Sequence, residues 1–132
     1  MLRFLLAWLV YTWGGLHRYF GNQNHMRAEH EAAVRYFSRA LRIDPGFRRA
    51  RLERAILLWR ELGHWEEALA DLDALLEADP AYAPALFNRA LVAQNNGRFA
   101  AARADLEAYL QLPDADYREE ATRLLAILRE IE

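Results

Sequence analysis

The stretch NRALVAQNNGRFAAARADLEAYLQLP, residues 88–113, decides the fold of this 132-residue chain. In it a small residue, Ala102, is followed after four and seven positions by the bulky Leu106 and Tyr109, and Pro113 comes next. A similar arrangement occurs twice upstream, at Ala33, Phe37, Ala40 and Pro45 and at Ala68, Leu72, Leu75 and Pro80. The copies are 35 and 34 residues apart. A fixed period of this length indicates one helical unit that is copied and stacked.

Each of the last two copies contains the signals of a tight turn between two helices. Gly63 and Gly97 follow apolar residues at helical spacing, and glycine readily adopts the left-handed conformation that ends a helix. An aromatic residue, Trp65 or Phe99, stands two positions after each glycine and can fill the hairpin. The prolines cannot continue a helix and therefore separate one copy from the next. The repeated unit is predicted to be a helical hairpin.

Composition favours helix throughout the chain. Alanine and leucine make up about a third of the residues, and both stabilise helices. Cysteine is absent, which excludes disulfides and thiol catalysis. We therefore expect an all-α protein of one domain, with its core in the seams between neighbouring helices.

The copies resemble the tetratricopeptide repeat, a helix-turn-helix of 34 residues, over residues 13–116. The third copy, residues 83–116, matches best, with residues of the expected size at Leu86, Ala90, Gly97, Phe99, Ala102 and Leu106. The second copy, residues 49–82, has Ile56 where the family has a small residue, so we expect its two helices to lie further apart. The resemblance implies an α-solenoid of about three tetratricopeptide-like hairpins.

The first copy, residues 13–47, is irregular. Its second half follows the pattern, but Trp13, Leu16 and Phe20 lie one helical turn too far upstream. The spacing is that expected if about four residues, such as 22–25, were inserted in the turn. We expect Trp13, Leu16 and Phe20 to pack on the first repeat and complete it.

In tetratricopeptide proteins the ligand usually lies in a groove lined by the first helix of each repeat. Carried over by position, the predicted partner-binding residues are Arg18, Tyr19, Asn22, Arg54, Leu57, Phe87, Asn88, Leu91 and Asn95. Asn88 stands where family members often hydrogen-bond the backbone of an extended peptide. Members that bind chaperone tails need basic residues at two further positions, which hold Pro84 and Asn88 here. A carboxylate clamp is therefore not expected.

Residues 117–132 carry a single apolar stripe at helical spacing, formed by Tyr117, Ala121, Leu124, Leu128 and Ile131. Charged residues occupy the other side. The last repeat of a solenoid needs a cover for its exposed seam. We therefore predict a capping helix, and we expect the chain to end here by design.

The N-terminal stretch FLLAWLVYTWGGL, residues 4–16, has no charge and is rich in aromatic residues, which favour a membrane interface. As a helix it would extend about 20 Å, short of a hydrocarbon core of about 30 Å. Residues 1–20 are predicted to form one apolar helix. Three interpretations stay open: the buried first helix of the solenoid, a retained anchor in a membrane or partner protein, and a secretory signal without an evident cleavage site. The anchor would use Phe4, Trp8, Tyr11 and Trp13.

Charge is distributed unevenly. Residues 1–60 carry 11 arginines and 4 acidic residues, whereas residues 61–132 carry 6 arginines and 15 acidic residues. All 17 basic residues are arginines, which we attribute to a GC-rich bacterial genome. A basic half beside an apolar terminus is typical of a protein lying against an anionic surface. If the segment spans a membrane, the arginines on its carboxyl side predict that the repeats face the cytoplasm.

No group of residues suggests catalysis or a cofactor. Ser38, the only serine, lies in a predicted helix without the glycine-flanked turn of a nucleophile. The four histidines include no pair four residues apart, so no helical metal site is predicted. The net charge of −2 and the acidic second half argue against nucleic acid. We expect no enzyme activity, no metal and no cofactor.

Together these features predict a non-enzymatic adaptor that holds a peptide or helix of a partner protein. Its setting would be a bacterial membrane complex, of which it would be a small accessory subunit or assembly factor. The alternative is a soluble cytoplasmic oligomerisation module, a homodimer formed through the N-terminal apolar helix.

Overall fold

The computed structural model describes residues 1–131, which fold into seven α-helices and contain no strand. The helices are α1 (Leu2–Asn24), α2 (Arg27–Ile43), α3 (Arg48–Arg60), α4 (Trp65–Ala78), α5 (Ala83–Asn95), α6 (Phe99–Leu110) and α7 (Arg118–Glu130). The helices that the repeat pattern and the apolar terminus predict are all present. Residue 132, the last of the predicted capping segment, lies outside the described residues.

The first helix is longer than predicted, because α1 continues past residue 20 to Asn24. Of the residues expected as an insertion in the turn, 22–24 therefore belong to the last turn of α1, and His25 lies in the turn itself. His25 ends the helix in the left-handed conformation, with φ of 53°, and the Met26 N–H donates to the Gly21 carbonyl. The connection to α2 is consequently short.

Both turns that the glycines predict are confirmed. Gly63 and Gly97 have φ of 71° and 72°, a conformation that other residues adopt at a cost. After each glycine, a backbone N–H donates back into the preceding helix, from His64 to Leu58 O at 2.7 Å and from Arg98 to Ala93 O at 2.8 Å. These bonds satisfy carbonyls at the ends of α3 and α5.

The helices form two compact units that divide inside α4, between Asp71 and Leu72. In the first unit, α1 packs along α2 and α2 packs against α3. In the second unit, α5 packs against α6 and α6 against α7. Within each unit, these helices that follow one another in sequence are thus neighbours in space.

The core of the first unit combines small and bulky residues. Its two buried clusters are formed by Ala7, Ala40, Leu41, Phe47 and Ala50 and by Ala33, Phe37 and Leu57. A Cβ added to Gly14 of α1 would lie 2.7 Å from the Phe37 ring. The two helices can therefore approach this closely only because α1 has no side chain at that point.

In the second hairpin, Ala55 and not Ile56 is the small buried residue that the repeat pattern requires of the first helix. Ala55 is fully buried in α3, whereas Ile56 is only partly buried. Ala55 lies 35 residues before Ala90, which is fully buried at the matching point of α5. The reason for expecting the two helices of the second hairpin to lie further apart therefore no longer holds.

The second unit is completed by aromatic contacts around the start of α7. The Phe87 ring of α5 lies 5.2 Å from the ring of Tyr109 and 5.2 Å from that of Tyr117. The Tyr117 N–H donates to Tyr109 Oη at 2.8 Å and so satisfies a backbone donor at the start of α7. Ala102 and Leu106 of α6 are fully buried, as the repeat pattern predicts.

Candidate partner-binding surfaces

Two predicted partner-binding residues of α3 are engaged inside the first unit. Arg54 donates from Nε and Nη2 to the two carboxylate oxygens of Asp71, at 2.8 and 2.5 Å, and from Nη1 to Ser38 Oγ at 3.2 Å. Leu57 is 2% exposed and belongs to the core cluster around Phe37. The prediction that Leu57 lines a groove is therefore corrected, since a buried side chain offers no surface to a partner.

An equivalent ion pair joins α5 to α6. Arg89 donates from Nε and Nη2 to both carboxylate oxygens of Asp105, each at 2.8 Å, and from Nη1 to Asp73 at 3.0 Å. The hydrogen bonds to Asp105 raise the pKa of Arg89 above its ordinary value. Arg89 follows Arg54 by 35 residues, so this bidentate pair recurs with the hairpin. It fixes the two helices of a hairpin and is not a free site for a ligand.

Three other predicted residues lie along one side of α5. Asn88, Leu91 and Asn95 are three and four residues apart, the spacing of neighbours on a helix surface. Asn88 and Leu91 are partly exposed, Asn95 is exposed, and Asn88 Nδ2 donates to the Pro84 carbonyl at 2.8 Å. Phe87, by contrast, belongs to the aromatic contacts at the start of α7. We call Asn88, Leu91 and Asn95 the α5 surface.

The predicted groove residues of α1 differ in their surroundings. Tyr19 is 56% exposed. Asn22 Oδ1 lies 2.9 Å from Nε2 of the buried His30 in α2. Arg18 Nη1 lies 3.8 Å from the carboxylate of Glu53 in α3. Tyr19 is therefore the groove residue of α1 with a ring open to a partner, while Asn22 and Arg18 also connect α1 to its neighbours.

Tyr11 lies inside the first unit and not on an anchor surface. Its ring centroid is 5.6 Å from that of Phe37 and 4.9 Å from that of Phe47, and its hydroxyl donates to Glu53 Oε1 at 2.9 Å. Arg49 Nε in turn donates to Tyr11 Oη at 3.2 Å. Burial, and then the Glu53 carboxylate, raises the pKa of Tyr11 above its ordinary value of 10.0. Tyr11 is partly buried, and its contacts with α2 and α3 leave less of the ring open to a partner than at Phe4, Trp8 and Trp13.

The outward side of α1 is apolar along most of the helix. Six large side chains on it are 43–82% exposed: Leu2, Leu6, Leu9, Trp13, Leu16 and Phe20. We call these six residues the outer seam. Phe4 and Trp8, which were predicted as anchor residues with Trp13, are also about half exposed. Leu16 and Phe20, which were expected to complete the first repeat, lie instead on this exposed face.

The orientation of α1 follows from small residues that the repeat pattern does not include. Ala7, Gly14 and Gly21 recur every seven residues, and all three are buried. A Cβ added to Gly21 would lie 2.7 Å from the ring of His30, much as one at Gly14 would meet Phe37. Because the small residues form the contact with α2, the large residues on the opposite side of α1 stay outside. This seven-residue recurrence was the sequence signal that could have revealed the outer seam.

The remaining features concern small ligands and membranes. A surface cavity of about 520 Å³ lies along α2, lined by Val34, Arg35, Tyr36, Ser38, Arg39 and Arg42. Residues 1–131 contain no group of three His, Cys, Asp or Glu side chains that could hold a metal ion. Among the helices of this described part, none combines the length and the hydropathy needed to cross a membrane.

Comparison with known sequences points to one repeat family. A sequence profile of the tetratricopeptide repeat matches residues 83–116. The tetratricopeptide repeat and J domain-containing co-chaperone DNJ1 of Cryptococcus neoformans is 30% identical to the chain over 109 residues. The match includes 80% of this chain and 20% of DNJ1. The chain thus spans about a fifth of the length of this relative.

Solved structures with the same fold include domains bound to peptides. The Yersinia enterocolitica type III secretion chaperone SycD, in complex with a peptide of the translocator YopD, has a TM-score of 0.77 at 15% identity, over 93% of this chain and 92% of that one. The TPR domain of Arabidopsis OM64 has a TM-score of 0.73 at 19% identity, over 93% and 99%. The TPR2B domain of yeast Sti1, in its complex with pHsp70, has a TM-score of 0.72 at 20% identity, over 92% of this chain and 99% of that one. The predicted all-α solenoid of tetratricopeptide-like hairpins is therefore confirmed.

Proposed function

The chain belongs to the tetratricopeptide-repeat family, and from this membership we infer that it is a non-enzymatic scaffold that binds a segment of a partner protein. The observation that carries the proposal is the α5 surface, where two amides and a leucine lie along one side of a helix. Structures of the same fold contain such segments, among them SycD with a peptide of YopD.

The α5 surface has the chemistry to hold an extended, uncharged segment. An amide side chain offers both donors and an acceptor, so Asn95, and Asn88 in exchange for its bond to the Pro84 carbonyl, can pair with backbone N–H and C=O groups of a peptide. Leu91 lies between them and offers apolar contact. Pro84 and Asn88 carry no positive charge where a carboxylate clamp needs it. The proposed ligand is therefore a peptide segment within a chain and not an acidic C-terminal tail.

The outer seam of α1 gives the scaffold a second surface, by which it attaches to a larger assembly. Ten large apolar side chains of α1 are 43–82% exposed, namely the six of the outer seam with Phe4, Leu5, Trp8 and Tyr19, and patches of this kind mark interaction sites. In this proposal the chain is an accessory subunit or assembly factor of a bacterial membrane complex, with Phe4, Trp8 and Trp13 at the contact and the repeats on the cytoplasmic side. The basic first half of the chain favours such a position beside an anionic surface.

Affinity capture from native membranes, followed by mass spectrometry, tests the scaffold function. The wild-type chain is compared with the double variant Asn88→Ala/Asn95→Ala and with Gln111→Ala, an exposed control residue at the end of α6. Both asparagine substitutions favour helix, so loss of fold is not expected. We expect one partner that the wild type and the control capture and the double variant loses. Equal capture by all three would remove the α5 surface from the proposal.

A second candidate function is oligomerisation, in which the outer seam contacts another copy of the chain. The observation that favours it is the regular spacing of the seam along α1. Light scattering without detergent separates the two uses of the seam. A discrete dimer supports oligomerisation, whereas aggregates that only detergent disperses support the membrane complex.

A further inference from the structure

The outer seam has the spacing of a surface that packs on another helix. Its six residues, Leu2, Leu6, Leu9, Trp13, Leu16 and Phe20, are separated by four, three, four, three and four residues. This is the alternation of a 3.5-residue repeat, which keeps a stripe of large side chains facing one partner helix along its whole length. The other side of α1 is packed on α2, so the outer seam is the side of this helix that remains for a partner.

We propose that the outer seam pairs with the outer seam of a second copy of this chain, with the two α1 helices antiparallel and Leu9 opposite the second copy's Trp13. This inference rests on the second candidate function, oligomerisation, and adds the geometry of the contact. The remaining contacts follow from the spacing, because the seam is symmetric about its centre. Leu2 then lies opposite Phe20, and Leu6 lies opposite Leu16.

Side-chain size favours the antiparallel arrangement over the parallel one. When the helices run in opposite directions, each aromatic residue of the seam meets a leucine, and Leu6 meets Leu16. The distance between the two helix axes is then similar along the whole seam. In a parallel pair, Trp13 would meet Trp13 and Phe20 would meet Phe20, while leucine would meet leucine elsewhere. The helices would then be forced apart at one end and would leave gaps at the other. The antiparallel pair also aligns opposite ends of the two helix dipoles.

Area and charge also suit a second copy. Six large apolar side chains with 43–82% exposure, two of them aromatic residues that each bury about 150–250 Å², offer an area on the order of several hundred Å² per copy. A standard protein interface buries about 800 Å² per partner, so this seam and its flanks are sufficient for a specific dimer. No seam residue is charged, so two identical seams do not repel one another.

The mass of the particle in detergent-free buffer tests whether the seam binds a second copy. We expect a discrete species of twice the 15.4 kDa of one chain, without added lipid. Leu9→Glu places a charge at the centre of the seam and should give monomers with unchanged helicity. Ile127→Glu, at a residue of α7 that is 57% exposed, is the control and should stay dimeric. A monomeric wild type would overturn both the inference and the oligomerisation function, and so would particles that form only with lipid vesicles.

Cysteine cross-linking then tests the direction of the helices, and the chain suits it because it has no cysteine of its own. Antiparallel pairing predicts a disulfide when Leu2→Cys chains are mixed with Phe20→Cys chains. Leu2→Cys chains alone should not cross-link, because their cysteines would be about 27 Å apart at 1.5 Å per residue. Efficient cross-linking of Leu2→Cys with itself would overturn the antiparallel geometry while leaving the oligomerisation function in place.

Discussion

The first and third hairpins follow the same packing rule with different residues. In the third hairpin, α5 and α6 present the fully buried Ala90 and Ala102. In the first hairpin, α1 presents Gly14 and Gly21 to the rings of α2, and an added Cβ would lie 2.7 Å from Phe37 or from His30. Both hairpins therefore need a small residue where the helices are close, but the first needs the smallest one.

The polar contact between the two helices also differs. Arg89 and Asp105 join α5 to α6, whereas in the first hairpin His17 Nδ1 lies 2.6 Å from the Glu29 carboxylate and the His17 ring stacks on Tyr36 at 5.1 Å. Tyr36 stands 35 residues before Asp71, at the position where the later hairpins have an aspartate. The comparison teaches that a hairpin tolerates either contact inside. What sets the first hairpin apart is its exposed side, where the outer seam replaces a polar surface.

The largest expected effect is at the alanine of the third hairpin. Ala102→Leu adds three carbons to a site with no exposed surface and should lower the free energy of unfolding by about 1–3 kcal/mol. Ala68→Leu in the second hairpin should act in the same way. Denaturant unfolding followed by circular dichroism measures both. Ala104→Leu, at an exposed position of α6, is the control and should change stability by less than about 0.5 kcal/mol. An unchanged midpoint for Ala102→Leu would contradict the close packing.

The glycine of the first hairpin should give a smaller effect, because two contributions oppose each other. Gly14→Ala forces a Cβ against the Phe37 ring but gains about 1 kcal/mol of helix propensity, so we expect a net loss of about 1–2 kcal/mol. Gly15→Ala has open space around the new Cβ and should raise stability by up to about 1 kcal/mol. If both substitutions stabilise the protein, α1 and α2 are not in close contact at residue 14.

The ion pair of the third hairpin should contribute more than an ion pair on the surface. A double-mutant cycle with Arg89→Gln and Asp105→Asn should give a coupling energy of about 1–2 kcal/mol, since these side chains are 30% and 11% exposed. The same cycle on Arg129 and Glu107, which are 61% and 54% exposed, should give less than about 0.5 kcal/mol. Equal coupling energies would mean that burial adds nothing to the repeated pair.

The smallest effect concerns alkaline pH. Burial raises the pKa of both Tyr11 and Tyr109 above the ordinary 10.0, so each stabilises the fold below pH 10 in its neutral form. This stabilisation is lost as the pH rises through the higher folded-state pKa. The thermal midpoint of the wild type should therefore fall between about pH 9 and about pH 11. The thermal midpoint of the Tyr11→Phe variant should fall less over the same interval. A fall equal to that of the wild type would mean that Tyr11 ionises as it does in the unfolded chain.

Much of the fold could be predicted from the sequence because it depends on local signals. The period of 34–35 residues, the glycines at 63 and 97 and the prolines are all visible along the chain. The end of α1 could not be predicted in this way. His25 takes the left-handed position that a glycine takes in the other hairpins, so the turn carries no glycine signal.

The surfaces were harder to predict because they depend on how each helix is rotated about its axis. Tyr11 and Trp13 are two residues apart in an uncharged segment, yet Tyr11 is partly buried against Phe37 and Phe47 while Trp13 is 56% exposed. In such a segment hydrophobicity cannot choose the buried side, and the size of the residues decides it. The partner of Arg54 was missed for a related reason, since Asp71 comes 17 residues later and approaches only when the hairpin closes.

The two opposite stripes of α1 also bear on how this helix can change during evolution. A surface helix of a solenoid usually varies freely on its outer side, because only its inner side is packed. In α1 the small residues at 7, 14 and 21 are constrained by α2, and in the proposed dimer the outer seam is constrained by the second copy. Among orthologues that keep the partner, we therefore expect substitutions in α1 to gather at positions 12, 15 and 23, which lie between the two stripes or at the end of the helix. Relatives that have lost the partner should differ first at the seam, by gaining charged residues there while keeping both glycines.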